Sequence, residues 1–175
     1  MKAAIIVAIF LAATIFAPLA SATKDGDKAV EISDEQASLI SQNCGSIKIQ
    51  LQQLQRADAK SRVHIGAQYE TVSSNLMLNL SIRLAKNDLA NATIATEQSK
   101  FVSERKVFRE SYIEYSQALE KLISVNCKDA PQEFYGQLKT AQAARANVDK
   151  SVKRLNEIIS EHRKTVKTIQ SGLEK

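Results

Sequence analysis

Two cysteines, two histidines and nineteen carboxylates are the side chains in this chain that carry reactive chemistry. Cys44 and Cys127 lie far apart, and neither stands in a Cys-x-x-Cys pair, so the spacing offers neither a thiol redox centre nor a zinc site. An even count with one possible intrachain pairing points to a structural disulfide; the alternative is two buried thiols. His64 and His162 fall outside His-Glu-x-x-His and outside the Glu-x-x-His pairing of di-iron bundles. Glu161 adjoins His162, but helix neighbours diverge by about 100° and do not converge on one metal. His162 falls on an apolar stripe, where a satisfied interfacial histidine is expected. Gly-x-Ser-x-Gly, the P-loop and Gly-x-Gly-x-x-Gly are absent from the sequence. The reading is non-enzymatic, with no catalytic residue, metal, cofactor or small-molecule substrate.

A denser polar cluster comprises Arg56, Asp58, Arg62, Gln68, Tyr69 and Glu70. Asp58 and Arg62 stand four apart and share a helix face, as do Arg62 and Gly66, where a missing Cβ would let another helix approach. This is either a specificity site for a partner or a polar layer that fixes helix register. Asn79-Leu80-Ser81 and Asn91-Ala92-Thr93 match the glycosylation acceptor pattern, a triplet that arises often by chance.

These groups must be carried by helices. Gly and Pro are few (5 and 2), aromatics are 5% and Trp is absent, whereas hydrophobics at 44% and charges at 25% are ordinary for a folded chain. Ser33-Asp34-Glu35-Gln36 is a capping box. Behind it run Ile40, Cys44, Ile47, Leu51 and Leu54, then Ile65, Tyr69, Val72, Leu76 and Leu80. The stripe keeps phase across Arg56–Arg62, which favours one helix from about Ser33 to Leu89 over a turn near residues 58–61. Asn87–Thr93 supplies a reversal. A second stripe reads Phe101, Arg105, Phe108, Tyr112, Tyr115, Leu119, Leu122. Asp129 is an expected N-cap and Pro131 an expected first-turn residue. The third stripe runs from Phe134 through Arg145, Val152, Leu155 and His162 to Leu173 with heptad spacing.

The expected architecture is all-α: an elongated antiparallel three-helix coiled coil with a long first helix, the alternative being an up-down-up-down four-helix bundle. Counted from a hairpin near residue 90, Cys44 lies about ten residues, roughly 15 Å, beyond Cys127 in the unbroken-helix reading. A second turn near residue 60 would separate them by about 25 Å, and a disulfide needs Cα atoms within about 7 Å. The unbroken helix fits better, with its start projecting and the last helix overshooting the other end. Ile40, Ile47 and Leu51 on such an overhang, with Asp58 and Arg62, form the expected partner interface, through a protein partner or self-association.

The first 22 residues read as a signal peptide: Lys2, an apolar run from Ala3 to Ala17, Pro18, then Ala20-Ser21-Ala22 before Thr23. An uncleaved membrane anchor is the other reading, and either places the remainder outside the cytoplasm, secreted or in the cell envelope. Residues 23–32 are expected to be disordered and 33–175 to form the helical domain. From Arg145 onward eight cations face four carboxylates, which accounts for all the excess positive charge of the mature chain. Lys153, Arg154, Arg163, Lys164 and Lys167 are therefore candidates for binding an anionic surface; the plainer reading is a solvated helix face. Nucleic acid is not expected, since aromatic residues are not interleaved with the cations.

Two stretches, SRVHIGAQYETVSSNLM (61–77) and YIEYSQALEKLISVNCKDAPQEFYGQL (112–138), resemble uncharacterised secreted helical coiled-coil proteins of small-genome bacteria, in which a first-helix cysteine recurs. That resemblance implies an envelope or extracellular location and no activity. The chain is also similar to periplasmic Skp-like chaperones in being small, exported, basic and heptad-rich. It lacks the strand-forming segment with which those trimerise, so holdase activity stands as the alternative function.

Overall fold

The structure, a computed structural model, describes residues 31–173. The expected signal peptide, most of the expected disordered segment (residues 23–30) and residues 174–175 lie outside the described residues. Helix α1 spans Asp34–Thr71, a π-helical segment covers Val72–Leu78, and α2 follows at Asn79–Lys86. Backbone angles at Thr71, Val72, Leu78 and Asn79 all stay helical, so these segments form one rod. Helices α3 (Ala92–Ser124) and α4 (Pro131–Leu173) complete an all-α, three-rod architecture without a strand among the described residues. At about 1.5 Å per residue, the 43-residue α4 is about 65 Å long.

Local chemistry sets most boundaries where the sequence places them. The Ser33 hydroxyl accepts from the Gln36 amide at 3.2 Å and Gln36 Oε1 accepts from the Ser33 amide at 3.1 Å, the reciprocal capping box. Arg56–Arg62 is continuous helix, which removes the four-helix alternative. At the first reversal, the Leu89 amide donates to the Leu84 carbonyl and the Asp88 amide to that of Ala85. This is a Schellman motif with Asp88 in the left-handed region at φ 57. Asn91 Oδ1 then caps α3 by accepting from the Thr93 and Ile94 amides. At the second reversal Pro131 opens α4 as expected, but Asp129 is not its cap. The preceding position is Ala130, while the Asp129 carboxylate takes a hydrogen bond from the Asn126 amide side chain.

The chain pairs up-down-up. Cys44 meets Cys127, Asp58 meets Tyr115, and Ser81 meets Gln98, which makes the first rod antiparallel to α3. Arg145 opposite Asp58 and His162 opposite Glu97 run α4 antiparallel to α3. Burial is unequal among the rods. Helix α3 buries ten residues, Phe101, Tyr115 and Leu122 among them, whereas α1 buries only Tyr69. The α3–α4 hairpin therefore forms the core, and α1 lies on it through a half-buried row. Ile40, Ile47 and Leu51 belong to that row and pack on the cluster of Tyr112, Leu119, Leu122, Cys127 and Phe134. The expected projecting overhang is thus corrected. Cys127 sits past the end of α3 in the connecting turn, and its neighbour Val125 is extended, which reaches back to α1.

The π segment changes which residues the first rod buries. Its hydrogen-bonded rings close one residue later than α-helical ones, so the inward face advances by one position. The sequence stripe puts Leu76 in the core; in the structure Ser73 and Met77 are buried there, Met77 at 1% exposure, and Leu76 is 59% exposed.

A disulfide joins Cys44 and Cys127 across 83 residues, with Cα atoms 5.4 Å apart. A crosslink closing so long a loop stabilises by about 4.5 kcal/mol in the chain-entropy account. The C44A/C127A variant should lose stability of that order in urea unfolding. Amide exchange should quicken most in Asp34–Leu54, whose other attachments are half-buried contacts. An unchanged midpoint would mean that α1 holds without the bond.

Candidate functional site

Polar side chains on the seams pair between rods, and besides Ser81 with Gln98 and Arg154 with Glu104 they form three layers. In the first, the Tyr115 hydroxyl donates to Asp58 Oδ2 at 2.6 Å, and Arg145 Nη1 lies 3.7 Å from the same oxygen. The guanidinium of Arg145 also lies over the Tyr115 ring, and Arg62 over that of Tyr112, with the Arg62 carbon 5.0 Å from the ring centre. In the second, Arg105 of α3 pairs with Glu70 of α1. In the third, His162 Nδ1 is 2.9 Å from Glu97 Oε2, and the Thr165 hydroxyl donates to Glu97 Oε1 at 2.6 Å. Both His162 and Glu97 are buried. His162 is the satisfied interfacial histidine that its stripe position predicts, and its partner was not foreseen. The legible signal was the α3 stripe itself: extended back from Phe101, it falls on Glu97 and Ile94, both buried.

Asp58, expected at a partner interface, is therefore engaged inside the molecule as a register-fixing layer. Arg62, from the same set, is exposed on one side of the rods. There it borders a groove between α1 and α3 of about 590 Å³, lined by Arg62, Val63, Gly66, Tyr69, Val102, Ser103, Arg105, Lys106, Phe108 and Arg109. The lining contains four cations and no carboxylate. Arg105 and Lys106 pair with Glu70 and Glu110, whereas Arg62 and Arg109 have no ion pair among the described residues. Gly66 faces open space, with nothing within 4 Å of the position its Cβ would take. The expected close helix approach at Gly66 is corrected: the missing side chain widens this groove. Val63 at 65% and Val102 at 49% exposure present apolar surface at its rim.

A second groove of about 470 Å³ separates the π segment and α2 from α4, with Leu76 and Ile159 in its walls. The basic set of α4 does not form one stripe. Lys153, Lys164 and Lys167 are exposed on the outward face, Arg154 turns to Glu104 at 3.9 Å, and Arg163 lines this second groove. Asn79 is helical and exposed with its side-chain amide donating to the Asn75 carbonyl, and Asn91 is the α3 cap.

Comparison with protein-family models, curated proteins and solved structures found no match.

The layers carry two tests. Removing His162 alone leaves the buried Glu97 carboxylate with only the Thr165 hydroxyl, so H162L should destabilise by about 1–3 kcal/mol, and the E97L/H162L double variant by less than that single change. Equal losses in urea unfolding would show the two side chains uncoupled. Burial, followed by the hydrogen bond to Asp58 and its charge, holds the Tyr115 phenol protonated far above its ordinary 10.0, outweighing Arg145. Burial also raises Tyr69, and burial with the Asp58 charge raises Tyr112. An unfolded phenol releases its proton near 10, so the folded state holds protons the unfolded state gives up. Stability is then intact below pH 10 and falls as pH rises above it. Phenolate absorbance should show a late step coincident with loss of helicity, and a Y115F variant should show a shallower alkaline decline.

Proposed function

We propose that this chain is a non-enzymatic interaction module, exported to the envelope or beyond, that engages an acidic protein segment through the groove between α1 and α3. One observation carries the reading. Asp58, Glu70 and Glu97 are each met across a seam, while this open groove presents the unpaired Arg62 and Arg109, beside Arg105 and Lys106, around Val63, Val102 and Phe108 without a carboxylate in its lining. Such a surface complements an amphipathic segment with apolar anchors and an acidic flank. The coiled-coil description belongs to this proposal, as a rigid spacer holding the groove at a fixed height. So does export, with which the disulfide is consistent; no described helix is long and apolar enough to cross a membrane.

The holdase alternative draws on the same exposed valines, which would grip unfolded clients without regard to charge. A benzophenone amino acid placed at Val102 in producing cells separates the two. A discrete crosslinked adduct, lost in R62E/R109E and absent with the label at Ser160 on the outer face of α4, is the expected result. A smear of many adducts insensitive to R62E/R109E would favour the holdase. No adduct at all would remove the groove as a docking surface.

A further inference from the structure

The second groove has a different shape and polarity, and what it fits is not a helix. Its walls are two rows, Val72, Leu76 and Leu80 of the first rod and Ile159 and Val166 of α4. Met77 and His162, both at least nine-tenths buried, close its floor. Val72 to Leu80 is eight steps, most of them in the π segment, which advances less than the about 1.5 Å per residue of an α-helix, so the run is about 10 Å. A volume of about 470 Å³ over that length leaves a mean cross-section of about 47 Å², about half that of a helix about 10–12 Å across. An unbranched hydrocarbon chain fits such a slot, and the volume lies within the range of small-ligand sites, about 300–1,000 Å³.

Polarity runs along the slot. Arg83 stands one turn beyond Leu80, and Arg163 one turn beyond Ile159, both toward the reversal at 87–91. Neither arginine has an ion pair among the described residues, and the lining holds no carboxylate. Glu97, the nearest buried acid on α3, is already bonded to His162 and Thr165. The two cations thus stand at one level of the groove, with Leu80, Leu76 and Val72 running away from them on one side, Val166 beyond them on the other, and Asn75 and Asn79 the other polar residues of the first rod's wall. Leu76 is exposed there because the π segment turns it out of the core, which makes the slot a consequence of the backbone rather than of one loose side chain.

We infer that this groove binds one single-chain anionic amphiphile, its acyl chain along Leu76, Leu80 and Ile159 and its headgroup on Arg83 and Arg163. The inference goes beyond the partner-binding reading and uses neither its groove nor its arginines. Forked guanidinium donors suit a carboxylate or phosphate head.

Fluorescence of 11-(dansylamino)undecanoate with the disulfide-bonded protein spanning residues 23–175 tests it. Saturable binding at one site per chain, displaced by laurate but at least tenfold less well by dodecanol or butyrate, is the expected result and needs no variant. R83E/R163E should weaken binding at least tenfold. So should L76D, at a position exposed enough to leave helicity and melting unchanged. K153E/K164E on the outer face should have no effect. Absence of saturable binding, equal displacement by dodecanol, or insensitivity to both R83E/R163E and L76D would overturn the inference. So would binding displaced by an acidic helical peptide and not by laurate.

Discussion

The first rod is clamped at two levels, and the clamps do not agree on its length. Between Cys44 and Asn87 it has 87 − 44 = 43 residues, whereas α3 with its turn has 127 − 91 = 36 residues between Asn91 and Cys127. Seven residues of straight α-helix amount to about 10 Å, more than a disulfide tolerates. Two departures from regular helix take up the difference. Val125 is extended, so the tail of α3 reaches further per residue, and the π segment advances less along its axis per residue. Between the crosslink and the Schellman reversal the irregular backbone of the first rod lies at Val72–Leu78. The groove beside α4 follows, because one added residue per ring rotates Leu76 outward and Met77 inward.

Between the clamps the rods are aligned by charge more than by bulk. An apolar row that is only half-buried, such as that of α1, specifies register weakly, since sliding by one turn exchanges one aliphatic contact for another. A pairing such as Tyr115 to Asp58, or Glu97 to His162 and Thr165, has no equivalent one turn away. Leaving those groups unmatched in a shifted alignment costs several kcal/mol, so a few polar contacts set what many apolar contacts leave open. The α3–α4 core depends on this less, because Phe101, Phe108 and Phe134 fill it with shapes that do not interchange.

The helices, the first capping box and the disulfide were legible because each rests on local rules: heptad spacing, a Ser-x-x-Gln box, a two-cysteine count. The polar seam residues were legible as well, since Arg105, Arg145 and His162 occupy apolar-stripe positions where a polar group demands a partner. Their acids were harder to place. Asp58 and Glu70 stood in a recognisable cluster, but Glu97 is separated by 65 residues from His162, and the pairing exists only once two rods are aligned. Leu76 was misplaced for a different reason. Its spacing is that of a regular α-helix, and nothing within a few residues of it announces a π turn. The overhang assigned to Ile40, Ile47 and Leu51 failed on the same assumption of uniform rise.

Where the carboxylates are used up determines which cations remain chemically expressive. A guanidinium paired to a seam carboxylate, as in Arg105 with Glu70 or Arg145 with Asp58, is neutralised and held by its own fold. Arg62, Arg109, Arg83 and Arg163 have the same chemistry and no ion pair among the described residues. Each pair borders a concave apolar surface rather than the convex outer face of α4, where Lys153 and Lys164 stand in bulk solvent. A charge beside low-dielectric walls attracts an anion more strongly and is screened less than one on a convex face. Total charge averages over a whole helix, whereas concavity and the local absence of acids single out individual cations.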